Sequence, residues 1–84
     1  MRIMGTRGYI DVEYDGKTAR FSGDMCIDGF AAIANSMKWL PPDEKLPVTE
    51  KERLLVMKAV REDVKNNEYK VFFTNDKYED IDFS

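Results

Sequence analysis

Two kinds of side chain in this sequence could do chemistry: its carboxylates and one thiol. There is no histidine, which removes the commonest general base and the commonest metal ligand together. Cys26 is the single cysteine. Without histidine it has no imidazole partner within the chain to make it a nucleophile. Asp24 and Asp28 flank it and oppose the electropositive setting that activates a thiol. In the apolar run Met25-Cys26-Ile27 it is expected to be buried and inert. One cysteine allows no intrachain disulfide and points to a reducing compartment. A zinc site would need carboxylates almost alone. Asp11, Glu13 and Asp15 are spaced like the start of a calcium loop, but the downstream acid is misplaced, and strand alternation accounts for them better. The five glycines are scattered at turns rather than gathered into a phosphate loop. The expectation is therefore no catalytic residue, no metal ligand, no cofactor and no enzyme.

Recognition is the chemistry that remains, and two stretches suggest it. The first is SMKWLPPDEKLPVTEKE, residues 36–52, which holds the only tryptophan. Leu40 and Pro41 each precede a proline and are pushed to extended backbone. Pro41 and Pro42 fix their own φ and offer no amide donor. This stiff exit aims the Trp39 ring, either into the core, where large aromatics dominate small domains, or outward as an interface anchor. The second stretch is NDKYEDIDFS, residues 75–84. Asp76, Glu79, Asp80 and Asp82 stand there against Lys77 alone, giving −3, the whole net charge of the chain. The first 74 residues carry twelve bases and twelve acids. An acidic end repels phosphate backbones and attracts basic proteins. The plain alternative is a solvated surface. Candidate partner contacts are therefore Trp39, Asp76, Tyr78, Glu79, Asp80 and Asp82, with a basic protein as partner and no nucleic acid. No stretch approaches the ~20 apolar residues of a membrane span, and MRIMGTRGYI lacks the apolar run of a signal peptide. No membrane partner and a cytoplasmic location are expected.

These residues need a scaffold, and 84 residues predict one domain, 1–84, with an acidic C-terminal segment 75–84. RGYIDVEYDGKTARFSG reads as a hairpin about the two-residue turn Asp15-Gly16. Counting back from that turn opposes Val12 to Ala19 and Ile10 to Phe21 on one face, and Asp11 to Arg20 on the other; a slip of one residue would mix the faces. Ser22-Gly23 marks a bend or bulge, and Asp28-Gly29 a second turn. FAAIANSMKW is read as a strand over about 30–34 and a helical turn from Ser36 to Trp39. Thr49 and Glu52 form a capping box, with Glu50 at the positive helix end. Val56, Met57, Val60 and Val64 make an apolar stripe that ends at Asn66-Asn67, so a helix is expected over about 50–66. YKVFFT reads as a strand, and KYEDIDF is expected to turn at Asn75-Asp76 and return beside it. The fold class is α+β: an antiparallel sheet of sequential hairpins with one main helix on one face.

The segment GFAAIANSMKWLPPDEKLPVTEKERLLVMKAV resembles the Immunity protein 74 family of bacterial polymorphic toxin systems. The matching features are Asp15-Gly16-Lys17, Ser22-Gly23-Asp24, Gly29-Phe30, Ser36-Met37-Lys38-Trp39, Pro41-Pro42 and Pro47-Val48-Thr49. They span most of residues 5–73 and leave the acidic tail outside. The family pattern often has glutamate at the place of Asp24 and an acid at the place of Leu40. The resemblance implies a small cytoplasmic protein that binds a cognate toxin and blocks it without chemistry of its own; it carries over no contact residue. The alternative is a small structural or regulatory module acting as a homo-oligomer, such as a homodimer joined through an open strand edge.

Overall fold

The computed structural model of the chain describes residues 1–83. Strands β1 (Arg2–Gly5), β2 (Tyr9–Tyr14), β3 (Lys17–Cys26) and β4 (Gly29–Ile33) come first. A 3₁₀ turn at Ala34–Ser36, β5 (Lys38–Trp39), the helix α1 (Glu50–Val64) and β6 (Lys70–Thr74) follow. The β2–β3 hairpin has the register its sequence dictates, with Tyr14 opposite Lys17, Val12 opposite Ala19 and Ile10 opposite Phe21. Asp15 and Gly16 have φ of 52° and 77°, the paired left-handed residues that a two-residue turn requires. On the solvent face Arg20 grips Asp11 with two hydrogen bonds of 2.8 and 3.0 Å. On the other face Ile10, Val12, Ala19 and Phe21 are fully buried.

The strand order is β1-β2-β3-β4-β6, with β5 also on β3. β3 is long enough to serve two partners along one edge: β5 at Ala19 and Arg20, then β4 from Gly23 to Cys26. The helical turn expected over Ser36–Trp39 therefore lies earlier, at Ala34–Ser36, and Lys38–Trp39 are strand. Ser36 pins this arrangement, accepting from Ser22 N at 2.8 Å and donating to Ile33 O at 2.6 Å.

The sheet is mixed, which corrects the expectation of a purely antiparallel one. β6 runs parallel to β4, with Gly29 opposite Lys70 and Ile33 opposite Thr74. A parallel neighbour requires a long crossover, and the segment containing α1 supplies it. The α+β class and the single main helix stand. α1 ends at Val64, two residues short of the expected limit. Lys70 Nζ donates to the carbonyls of Val64 (3.1 Å) and Lys65 (2.6 Å) there, placing a cation at the negative helix end. Val56, Met57, Val60 and Val64 are buried as the stripe requires. The tail does return along β6: Ile81 N donates to Phe73 O at 3.2 Å, and Thr74 bridges to Asp80.

The helix start is a complete capping box. Thr49 Oγ1 accepts from Glu52 N at 3.1 Å, and Glu52 Oε1 accepts from Thr49 N at 3.3 Å. Thr49→Ala is expected to cost about 1 kcal/mol, within the ~0.5–2 kcal/mol range of such caps, read as a lower urea midpoint. An unchanged midpoint would show that the cap does not hold the helix. The backbone hydrogen bond from Thr49 holds the Glu52 carboxyl below its ordinary value, helped by hydrogen bonds from the Thr49 and Lys17 side chains. A lowered folded pKa stabilises above the unfolded value, about 4.3, and that contribution is lost as pH falls through the lower folded value. Glu52→Gln should therefore narrow its stability gap to wild type as a melt series moves from pH 7 to pH 3.

Candidate partner-binding surface

Trp39 sits opposite Ala19, and because Ala19 faces the core, so does the ring, which is 2% exposed. Leu40 N donates to Thr18 O at 2.8 Å, so the chain stays clamped to β3 up to the prolines. Lys17 roofs the indole, its Nζ 4.4 Å from the ring centroid and 3.4 Å from Glu52 Oε2. This ammonium ties the hairpin turn to the start of α1 across the aromatic face, a cation–π arrangement. Trp39 thus anchors the core. Its ring is not presented at the surface, which corrects its candidacy as a direct partner contact.

The acidic tail is not a loose end. Asn75 organises it as a tight turn: its Oδ1 accepts from Lys77 N (2.9 Å) and Glu79 N (3.0 Å), and its Nδ2 donates to Glu79 Oε1 (2.8 Å). Tyr78 takes φ 61° within this turn and is exposed. Asp76, Tyr78, Glu79 and Asp80 are thereby brought together on an exposed turn at the end of β6. Asp82 lies apart, in a groove beside α1 with Arg53, Lys58 and Ile81. Tail side chains fasten the segment to the body. Phe83 meets Phe73 edge-on at 5.5 Å, and Arg61 lies over the Phe83 ring at 4.5 Å.

Cys26 is exposed, which corrects the expectation of a buried thiol. β2 reaches only as far as Ser22 on β3. In the alternation of β3, Phe21 faces the helix, while Ser22, Asp24 and Cys26 face the side with no covering layer. Even Met25, on the core side, is 52% exposed, and Ile27 is 101% exposed. An apolar run read as core is in fact a projecting hairpin end. The signal that could have revealed it is the pair of acids, Asp24 and Asp28, bracketing three apolar residues at a turn.

The shifted titrations belong to surface pairs and the helix cap. The hydrogen bonds to Asp11 raise Arg20, and the hydrogen bond to Lys65 lowers Glu62. Among the described residues no group of three or more Cys, Asp or Glu side chains is placed to hold a metal. Exposed acids stand on a braced turn at one end of β6, and exposed apolar groups lie at the other.

Comparison with known proteins bears on this arrangement. The Immunity protein 74 family model matches residues 2–74, from the first residue of β1 to the last of β6. No curated protein and no solved structure matches the chain. The matched stretch contains the whole sheet, the capped helix and the buried Trp39 corner, and stops where the acidic turn begins: the chain belongs to the Immunity protein 74 family.

Proposed function

We propose that this chain is an immunity protein that binds a cognate bacterial toxin in the cytoplasm and neutralises it by occlusion, with no reaction of its own. The family match over residues 2–74 carries this reading. The absence of histidine agrees with it, since an inhibitor that works by covering a surface needs no general base. No helix among the described residues is long and apolar enough to cross a membrane. The test is co-expression with the toxin domain encoded beside it. A stoichiometric complex and restored growth are expected; failure of rescue against every neighbouring toxin would overturn the reading.

The braced acidic turn has a separate role in this scheme. Its carboxylates steer a basic toxin into encounter, because complementary charge acts mainly on the association rate. Asp76→Asn with Asp80→Asn should slow association several-fold at low salt, with dissociation unchanged. The check is the association rate against ionic strength, since added salt screens exposed charge beyond about 10 Å at 0.1 M. An association rate equal to wild type at low salt would leave the turn as solvated surface.

A further inference from the structure

The end of the sheet opposite the acidic turn has what that turn lacks, apolar anchors. β3 outruns β2 beyond Ser22, so the last residues of β3 project with β4 as their strand partner. Lys70 N donates to Asp28 O at 2.9 Å, which binds the start of β6 to the hairpin turn. Met25, Ile27 and Tyr69 are thus gathered at one end of the sheet, and they are 52%, 101% and 45% exposed. Met25 and Tyr69 also line a groove of about 390 Å³ that runs to Asp63 on α1. Methionine and aromatic residues are enriched at protein interfaces, and exposed apolar side chains gathered in one place are a feature of contact surfaces.

The rim carries the charge that selects the partner. Asp24 and Asp28 bracket Met25 and Ile27 along the chain, Asp63 lines the groove with Met25 and Tyr69, and none of the three takes part in an ion pair among the described residues. Of the neighbouring lysines, Lys65 is neutralised by Glu62 at 2.6 Å, while Lys70 donates to neutral helix-end carbonyls and keeps its charge. Arg7 is a further counterweight, in the loop whose Gly8 O accepts from Gly23 N. Two cations, Arg7 and Lys70, against the three carboxylates Asp24, Asp28 and Asp63 leave the patch net negative. A second copy docking here by two-fold symmetry would set acid rim against acid rim, and phosphate backbones are repelled by the same charge.

We infer that this hairpin end is the docking surface for a basic protein, with Met25, Ile27 and Tyr69 buried in the contact and Asp24, Asp28 and Asp63 facing its cations. The inference rests on the immunity reading, in which that basic protein is the toxin. The apolar anchors then act on dissociation, and the acids beside them act, like the steering turn, on association.

The test uses the full chain and the neighbouring toxin domain from which the wild type rescues growth. Met25→Ser with Ile27→Ser changes two exposed side chains, so the melting temperature should stay near wild type. Affinity should fall by at least about 30-fold, the scale of an interface anchor, through faster dissociation. Asp24→Asn with Asp28→Asn should instead slow association at low salt. Hydrogen exchange on the wild-type complex gives a readout that needs no variant: the amides of residues 24–28 should become protected. Wild-type affinity in the serine variant, with those amides unprotected in the complex, overturns this inference and leaves the immunity reading intact. A wild-type chain that rescues from no neighbouring toxin overturns both.

Discussion

Phe21→Ala is expected to destabilise the domain by about 3–5 kcal/mol, the usual loss for a buried aromatic cut back to alanine. Phe21 is fully buried at the middle of β3, the strand to which β2, β4 and β5 are all hydrogen-bonded. Its ring meets Phe73 of β6 edge-on, centroids 5.2 Å apart, and Phe73 in turn meets Phe83 at 5.5 Å. Removing the first ring leaves a void that backbone on both sides cannot easily close, and it breaks the aromatic series joining β3 to the tail. A domain of this length has roughly 4–13 kcal/mol in all, at about 0.05–0.15 kcal/mol per residue. The substitution therefore removes a large share of the stability, and a population unfolded at 37 °C is expected. Urea titration is the measurement: the midpoint should drop steeply with the slope unchanged. A loss under about 1 kcal/mol would mean that the core is not centred on this ring.

Gly29→Ala is the second large effect, and it arises from backbone rather than from packing volume. Gly29 opens β4 directly opposite Lys70 of β6. A Cβ built at Gly29 would sit well inside van der Waals contact with the Lys70 carbonyl. No side-chain rotation relieves that clash; a strand must move. Overpacking costs about 1–3 kcal/mol, and the upper part of that range is expected because the obstacle is main chain. The loss should also be local. Hydrogen exchange should speed up first along residues 70–74 and at Ile81, whose amide is bonded to Phe73. Gly8→Ala is the control, since a Cβ there meets nothing within 4 Å, and it should melt with the wild type. If Gly29→Ala melted with it as well, the parallel pairing of β4 and β6 would be wrong.

These two residues mark how far local reasoning reaches. Phe21 could be assigned to the core from the sequence because its neighbours in the hairpin alternate with period two around a turn that admits one register. Gly29 could be assigned to a turn, but not to close contact with Lys70, because that contact joins residues about forty positions apart. The capping box and the stripe on α1 were legible for the same reason as the hairpin: each repeats within a few residues. β1 was not read as a strand, because the four residues Arg2–Gly5 carry no alternation long enough to register. β5 was read as part of a helical turn, because two residues have no period at all; only the free edge of β3 makes them strand.

The candidate contacts divide along the same line. That the tail turns at Asn75 and carries the net charge follows from composition and turn chemistry. That four of its five candidate residues share a braced turn while Asp82 lies beside α1 depends on the path of the tail over β6. Trp39 and Cys26 show the division most directly. Composition favoured both as core residues, yet the structure buries one and exposes the other.

By itself, then, the sequence determined the β2–β3 register, the start and apolar face of α1, the lack of histidine chemistry and the place of the excess charge. Each is set by side chains a few positions apart or by composition alone. The tertiary structure decided the parallel course of β6, the burial of Trp39 and the projection of the hairpin at Met25, Cys26 and Ile27. Each of these depends on which distant strand or helix covers a given segment, and the solvation of a side chain is a property of its neighbours in space, not of its neighbours in the chain.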